Sequence, residues 1–380
     1  MGMSFVRSIA IISSQAFSLI NFRGPLIHAL KGKGIKVYAL APDFNEAMRA
    51  RVEAMGAVAI DYSLARAGVN PLRDLIDIAR LADTLKRLAP DVMLAYFIKP
   101  VIYGSIAAWL VRIPRRFSIV EGLGYVFMDG HRKLSFRRCF LRYIVSRLYR
   151  FALRLNERVF FLNSDDVFQF RQSDLVDDSQ VVQIDGIGLD LDYYSPVPPI
   201  LEPVTFLLIA RMLREKGVCD FVEAARRIRE KFPGTEFILV GGTDPNPGSV
   251  SELDLKRWVN EGVVKWLGQV DDVRPWIAKA SVFVLPSYYR EGVPRSSQEA
   301  MAMARPVITT DWVGCRETVK DGVNGFLVPV RDPSALAKAM ERFLLSVDLI
   351  ANMGREGRRI AEERFDARVI TRQIVEAMEL

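Results

Sequence analysis

The sequence predicts an α/β protein built from two doubly wound, parallel-sheet domains. Three observations predict it. Apolar, strand-like runs alternate with helix-like runs, the pattern of a parallel sheet covered on both faces. The alternation stops at Tyr193-Tyr-Ser-Pro-Val-Pro-Pro199 and then restarts. Three prolines in four positions suppress helix and central strand there. Finally, 380 residues are too many for one ordinary core.

The first domain is read as residues 1–192. Its candidate strands are 9–13, 36–41, 92–97, 117–120 and 159–162. Residues 4–13 are too short and too interrupted for a secretion signal and read as the first buried strand. After that strand, Asn21-Phe-Arg-Gly-Pro-Leu26 reads as a loop in which Gly24-Pro25 opens a helix, proline being tolerated early in one. Between 72 and 88, Leu75, Ile76, Ala79, Leu81, Leu85 and Leu88 recur at helical spacing. Residues 203–364 form the second domain, with strands at 205–210, 236–240, 263–267, 281–285 and 306–309 and a helix at 217–231. Residues 336–380 read as helical almost throughout, and the last piece, 365–380, is expected to pack back on the first domain. In such sheets ligands collect beyond the carboxyl ends of the strands, so two facing domains would make a cleft.

Composition narrows the class. Half the residues are apolar, and 52 Lys/Arg against 45 Asp/Glu leave a net charge of +7. That excess is uneven: residues 132–158 hold nine Lys/Arg and one acid, Glu157. Phe140, Tyr143, Ile144, Leu148, Phe151 and Leu155 recur at helical spacing among Arg137, Arg138, Arg142, Arg147, Arg150 and Arg154. Residues 136–158 therefore read as a basic amphipathic helix, suited to an anionic bilayer or the head group of a diphosphate lipid. A domain helix with a solvated basic face is the plainer alternative. No nucleic-acid-binding module accompanies these charges. No run reaches the roughly 18 apolar residues of a membrane span. Cys139, Cys219 and Cys315 are too far apart for a metal or disulfide framework and fit a reducing cytoplasm. Only two histidines occur, His28 in a helix-like run and His131 in a loop, so a Ser-His-Asp triad is poorly supported.

The chemistry concentrates at strand ends. Glu291-Gly-Val-Pro-Arg-Ser-Ser-Gln-Glu299 places two carboxylates eight residues apart between an apolar strand and a helix. Glu291 falls on the loop and Glu299 about two turns into the helix. A helix start offers free N–H groups and a positive dipole end, which suits phosphate. A carboxylate beside it cannot bind phosphate, but it accepts hydrogen bonds from ribose or sugar hydroxyls. The element reads as a nucleotide-sugar site. Arg211 and Lys216 follow the strand 205–210 and read either as a diphosphate clamp or as a solvated basic turn. Gly241-Gly242 ends the next strand and reads as close backbone approach to a ligand or as a tight turn. Glu121, at another strand end beside Gly122, is a candidate sugar or acceptor contact.

Together these residues resemble the retaining family-4 glycosyltransferases. Glu291…Glu299 resembles their E-x7-E signature, and Ala210-Arg-Met-Leu-Arg-Glu-Lys-Gly217 their phosphate-binding stretch. Leu267-Gly-Gln-Val-Asp-Asp272 and Asp321-Gly-Val-Asn-Gly-Phe326 extend the likeness. In the N-terminal half, Asn21-Phe-Arg-Gly-Pro-Leu26, Lys99-Pro100, Glu121-Gly-Leu-Gly-Tyr125 and Asn163 resemble a subgroup that extends sugars on polyprenyl diphosphate carriers, such as bacterial N-acetylgalactosaminyltransferases. The resemblance implies a GT-B fold with the donor in the C-terminal domain. It implies that Arg211 and Lys216 neutralise the donor diphosphate, Glu299 binds ribose, and Glu291 contacts the donor sugar. The backbone of Gly292 and Val293, with Gly241, would approach sugar or phosphate, and Asp271 and Asp272 would lie near the base. Arg23, Gly24, Lys99, Glu121 and Asn163 would belong to the acceptor side. No metal or cofactor is implied. The implied activity is retaining transfer of an N-acetylhexosamine from a UDP-sugar to a lipid-linked sugar, on the cytoplasmic face of the membrane. Many members carry His where this chain has Glu121. A UDP-sugar epimerase of the same architecture and a non-catalytic nucleotide-sugar-binding protein are the competing readings.

Overall fold

The structure, a computed structural model, describes residues 6–65, 71–122, 136–246 and 248–380. His131, and residues 123–127 of the segment that follows Glu121, lie outside the described residues. The chain divides into two units, Met1–Gly188 with Ala367–Leu380, and Leu189–Asp366.

The first unit runs β1 (Ser8–Ile12), α1 (Ala16–Gly32), β2 (Lys36–Ala41), α2 (Glu46–Ala54), β3 (Ala57–Asp61), α3 (Pro71–Leu88), β4 (Val92–Tyr96), α4 (Ile98–Leu110), β5 (Arg115–Val120), α5 (Phe136–Arg154), β6 (Arg158–Phe161), α6 (Ser164–Gln172) and β7 (Val181–Gln183). Its seven parallel strands lie in the order β3-β2-β1-β4-β5-β6-β7. The second unit runs β8 (Thr205–Ile209), α7 (Val218–Lys231), β9 (Glu236–Val240), α8 (Glu252–Asn260), β10 (Lys265–Trp266), α9 (Arg274–Lys279), β11 (Val282–Leu285), α10 (Arg295–Ala302), β12 (Val307–Thr310), β13 (Gly325–Val328), α11 (Pro333–Leu345) and α12 (Asp348–Ile360). Its six parallel strands lie in the order β10-β9-β8-β11-β12-β13. The central strands β4, β8 and β11 are buried throughout, as expected for a sheet covered on both faces. Both orders reverse direction beside the first strand of the unit, between β1 and β4 and between β8 and β11. In open α/β sheets that reversal is where ligands bind. After α12, a π-helical turn (Ala361–Phe365) leads to α13 (Ala367–Ala377), which packs on α1 of the first unit.

Several expectations need correction. Gly24-Pro25 does not open a helix. α1 starts at Ala16, whose N–H donates to Asp43 Oδ1 at 2.7 Å, and carries Pro25 in its interior. An interior proline costs about 3 kcal/mol. Burial of Leu19, Ile20, Leu26, Ile27 and Leu30, worth roughly 1.5–3 kcal/mol each, outweighs it. In α3 the buried face is Asp77, Leu81 and Leu85, while Leu72, Leu75 and Ile76 are exposed. Both faces have helical periodicity, so spacing could not choose between them. Asp77 decides, because it accepts from Ser63 Oγ at 2.6 Å and from the Ala65 N–H at 3.1 Å. The basic helix ends at Arg154, and Arg158 opens β6. Residues 263–264 are buried but only Lys265–Trp266 pair as strand. β3, β7 and β13 were not foreseen.

Candidate active site

The site grows from the two strands that flank the reversal in the second unit. Beyond β8 the chain bends sharply. The Ala210 N–H donates to the Val240 carbonyl at 3.1 Å and that of Met212 to Gly242 at 3.0 Å. Gly241, at φ +141°, passes so close that a Cβ there would sit 1.8 Å from the Ala210 oxygen. A 3-10 turn, Arg214–Lys216, follows and ends on Gly217 at φ +76°. A Cβ at Gly217 would lie 2.1 Å from the carbonyl oxygen of Pro286, just past β11. The Glu215 carbonyl accepts the N–H groups of Tyr288 and Tyr289 at 2.8 and 3.0 Å. The turn after β8 is thus bolted to the loop after β11.

That join brings predicted site residues together. Lys216 Nζ contacts Glu291 Oε1 and lies 5.1 Å from the Tyr289 ring centroid. Ser287 Oγ donates to the same carboxylate oxygen at 3.2 Å. Half-exposed Arg211 donates through Nη1 to Asp244 Oδ2 at 2.7 Å. Asp244 in turn accepts the Asn246 N–H at 2.8 Å. Burial pushes the Asp244 carboxyl up, but Arg211 and the Asn246 N–H hold it below the usual carboxylate range. Burial acts against Arg211's charge, and Asp244 more than restores it, leaving Arg211 above its ordinary value.

α10 begins at Arg295 with no side-chain cap and no acid in its first turn. Just inside it, Ser297 Oγ and Gln298 Oε1 are buried without a hydrogen-bond partner. Glu299 is the fifth helical residue, little more than one turn in rather than two. Its Oε1 accepts from Tyr194 Oη and from Arg295 Nε, both at 2.8 Å. Burial, and then the Glu299 charge, keep the Tyr194 phenol above its ordinary range and so protonated. Val293 is buried, and its carbonyl accepts from Gln298 Nε2 at 3.2 Å; Gly292 lies on the same loop. Asp271 is exposed, whereas Asp272 opens α9 by accepting the Arg274 N–H at 3.0 Å and pairing with its guanidinium at 2.7 Å. The Arg274 hydrogen bond holds the Asp272 carboxyl below its usual range.

The first unit keeps a different set. Arg23, fully buried on α1, contacts Glu121 Oε1 and stacks 4.4 Å from the Tyr96 ring centroid, with its Nε lacking a partner. Burial raises the Glu121 carboxyl, and Arg23 opposes that rise. Tyr96, pushed up to about 12 by burial, shares a 2.9 Å hydrogen bond with Ser18. Beside it Phe97 holds φ +69°, a strained value for a bulky residue. Gly24 is buried within α1, and its carbonyl bonds to His28 Nδ1 at 2.9 Å. Lys99 Nζ bonds the Ala65 carbonyl at 2.6 Å and Asp74 at 3.4 Å. Buried Asn163 caps α6, accepting the Asp166 N–H at 2.7 Å.

Sequence reasoning missed Asp244, Tyr194 and Arg295. Arg295 was legible four residues before Glu299, an i,i+4 pair on one helix face. Tyr194 was hidden in the proline-rich break, and Asp244 in the run that follows Gly241-Gly242. Among the described residues no group of three or more His, Cys, Asp or Glu side chains gathers as for a metal ion. No helix among them is long and apolar enough to cross a membrane.

Known proteins share this architecture. Residues 203–346 match the family described as glycosyl transferases group 1. A Campylobacter jejuni protein named N,N'-diacetylbacillosaminyl-diphospho-undecaprenol alpha-1,3-N-acetylgalactosaminyltransferase is 28% identical over 379 residues, 96% of each chain. An Escherichia coli protein named UDP-Gal:alpha-D-GlcNAc-diphosphoundecaprenol alpha-1,3-galactosyltransferase is 26% identical, covering 72% of this chain and 71% of its own. Among solved structures, Anabaena HepE in complex with UDP superimposes with a TM-score of 0.75 at 20% identity, covering 99% of this chain and 100% of its own. The fold is GT-B, two Rossmann-like parallel sheets, and the resemblance to glycosyltransferases is borne out.

Proposed function

We propose that this chain, a glycosyltransferase of the GT-B fold, moves an N-acetylhexosamine from a UDP-sugar to a sugar carried on a polyprenyl diphosphate, with retention at the anomeric carbon. The observation that carries the donor half is the Lys216–Glu291 contact, which joins the loop after β8, where Arg211 also lies, to the loop that leads into the uncapped start of α10, the helix of Glu299. Two cations and a helix N-terminus suit a diphosphate. Arg211 has donors beyond Nη1 for phosphate oxygens, and Lys216 has protons beyond the one facing Glu291. Glu299 meets the ribose hydroxyls and Glu291 the transferred sugar. Asp271, with the 271–274 turn, borders the base, and the backbone near Gly241, Gly292 and Val293 lines the sugar phosphate. The acceptor half rests on the two lipid-linked relatives.

In the reaction, the bond from the anomeric carbon to the donor phosphate oxygen breaks, and its electron pair leaves with UDP. Arg211, Lys216 and the α10 dipole stabilise the growing negative charge. The acceptor hydroxyl oxygen bonds the anomeric carbon from the same face, and its proton passes to the departing phosphate oxygen. With two cations and a helix start meeting the diphosphate charge, turnover is expected to persist in EDTA.

The same reading sets the enzyme at the cytoplasmic membrane surface. α5 exposes Tyr143, Arg147, Leu148 and Phe151, and Phe151 meets exposed Trp109 of α4 edge-on at 6.0 Å. Arg150 and Arg154 face Asp174 instead. The side chains of Arg137, Arg138 and Arg142 lie outside the described residues. A panel of UDP-sugars assayed with a radiolabelled polyprenyl-diphosphate sugar tests the proposal. Label chased into a longer lipid-linked glycan by UDP-N-acetylhexosamine supports it. Epimer formation from donor alone rejects it in favour of an epimerase.

A further inference from the structure

Tyr194 lies where the chain enters the second unit, in a stretch whose prolines mark it as a connector. Its side chain is nevertheless buried and ends on the helix that carries Glu299. Its backbone is held as firmly. The Tyr194 N–H donates to the Asp190 carbonyl at 3.0 Å. Arg358 Nη1, from α12, donates both to the Tyr194 carbonyl at 2.9 Å and to the Ala302 carbonyl at the end of α10 at 2.8 Å. One guanidinium therefore locks the connector to the helix. On the other side the Tyr193 ring packs edge-on against Tyr194 at 5.1 Å, and Arg274 lies over Tyr193 at 3.6 Å.

Tyr194 Oη and Arg295 Nε reach Glu299 Oε1 from two directions. Two donors on one oxygen restrict a carboxylate that would otherwise rotate, and they take up none of the lone pairs of its other oxygen, Oε2. We infer that Tyr194 is a positioning residue for recognition of the nucleotide ribose, acting through Glu299. The inference rests on the proposed contact between Glu299 and ribose.

The test compares UDP with 2′-deoxy-UDP and 3′-deoxy-UDP as ligands of the full chain, by calorimetry, for wild type, Tyr194→Phe, Arg295→Gln and Glu299→Gln. Wild type is expected to prefer UDP over at least one deoxy analogue by about tenfold or more, the scale of a hydrogen bond to a charged group. Tyr194→Phe and Arg295→Gln should shrink that preference several-fold, with UDP affinity falling and deoxy-analogue affinity nearly unchanged. A purely structural role would weaken all three ligands alike, and that result overturns the inference, as does a Tyr194→Phe variant that keeps the full preference. If wild type and Glu299→Gln discriminate equally, the ribose contact itself is wrong and the inference falls with it.

Discussion

The two sheets share a strand order around their reversal points but hold opposite electrostatic devices there. In the second unit, Lys216 and Glu291 each keep 13% of their side-chain surface exposed, and Arg211 keeps 51%. In the first, Arg23 and Glu121 keep 1% and 9% and are backed by Tyr96. An ion pair that touches solvent can exchange one partner for a phosphate at little cost. A pair sealed from water leaves an uncompensated charge when opened, which is expensive. The same topology therefore carries a partly solvated ion pair in one unit and a more deeply buried one in the other.

The largest effect should come from the sealed pair. Arg23→Met should lower stability by about 3–5 kcal/mol, read as the midpoint of urea unfolding, because Glu121 is left buried alone. The double variant Arg23→Met/Glu121→Leu should recover most of that loss. A small loss in the single variant would erase the contrast. Next comes the more open pair: Lys216→Ala should cut kcat/KM by about 10²–10³-fold while lowering the unfolding midpoint less than Arg23→Met does. Wild-type turnover would remove Lys216 from the diphosphate clamp.

Smaller effects sharpen the picture at the surface. Arg147→Gln should weaken binding to anionic vesicles about fivefold, near 1 kcal/mol for one cation at an anionic leaflet. Arg150→Gln should do less, since Asp174 already faces it. Sedimentation with vesicles at two salt concentrations reads both, and the difference should fade at high salt. The smallest effect concerns pH. Asp244 and Asp272 have folded-state carboxyls below their unfolded values. Their stabilisation is complete above the ordinary carboxylate range and is lost as pH falls through the depressed values. Urea midpoints between pH 6 and pH 3 should therefore drop more steeply for wild type than for Asp272→Asn.

Much of this was readable in the chain itself. Apolar runs such as Phe206-Leu-Leu-Ile209 announce buried parallel strands because both faces must be covered. Arg211, Lys216, Glu291 and Glu299 stood out by their spacing after apolar strands, which resembles the phosphate-binding stretch and the E-x7-E signature. The rest depended on contacts distant in sequence. α1 runs through Pro25 because tertiary burial outweighs local propensity. The exposed stripe of α3 could not be told from its buried face, because Asp77 finds its partners only after the chain folds back. Tyr194 meets Glu299 across 105 residues, a proximity that no local spacing encodes.

The return of α13 has a consequence for biogenesis. The first unit includes Ala367–Leu380, so its assembly waits until the second unit has been synthesised in between. On a ribosome that adds residues from the N-terminus, the C-terminal sheet can close as an uninterrupted block, while its neighbour stays one helix short, with the α1 surface bare, until α13 has been made. Chaperone capture of nascent chains should therefore map to α1, and gene truncation ahead of Ala367 should harm the N-terminal half more than the half it directly adjoins.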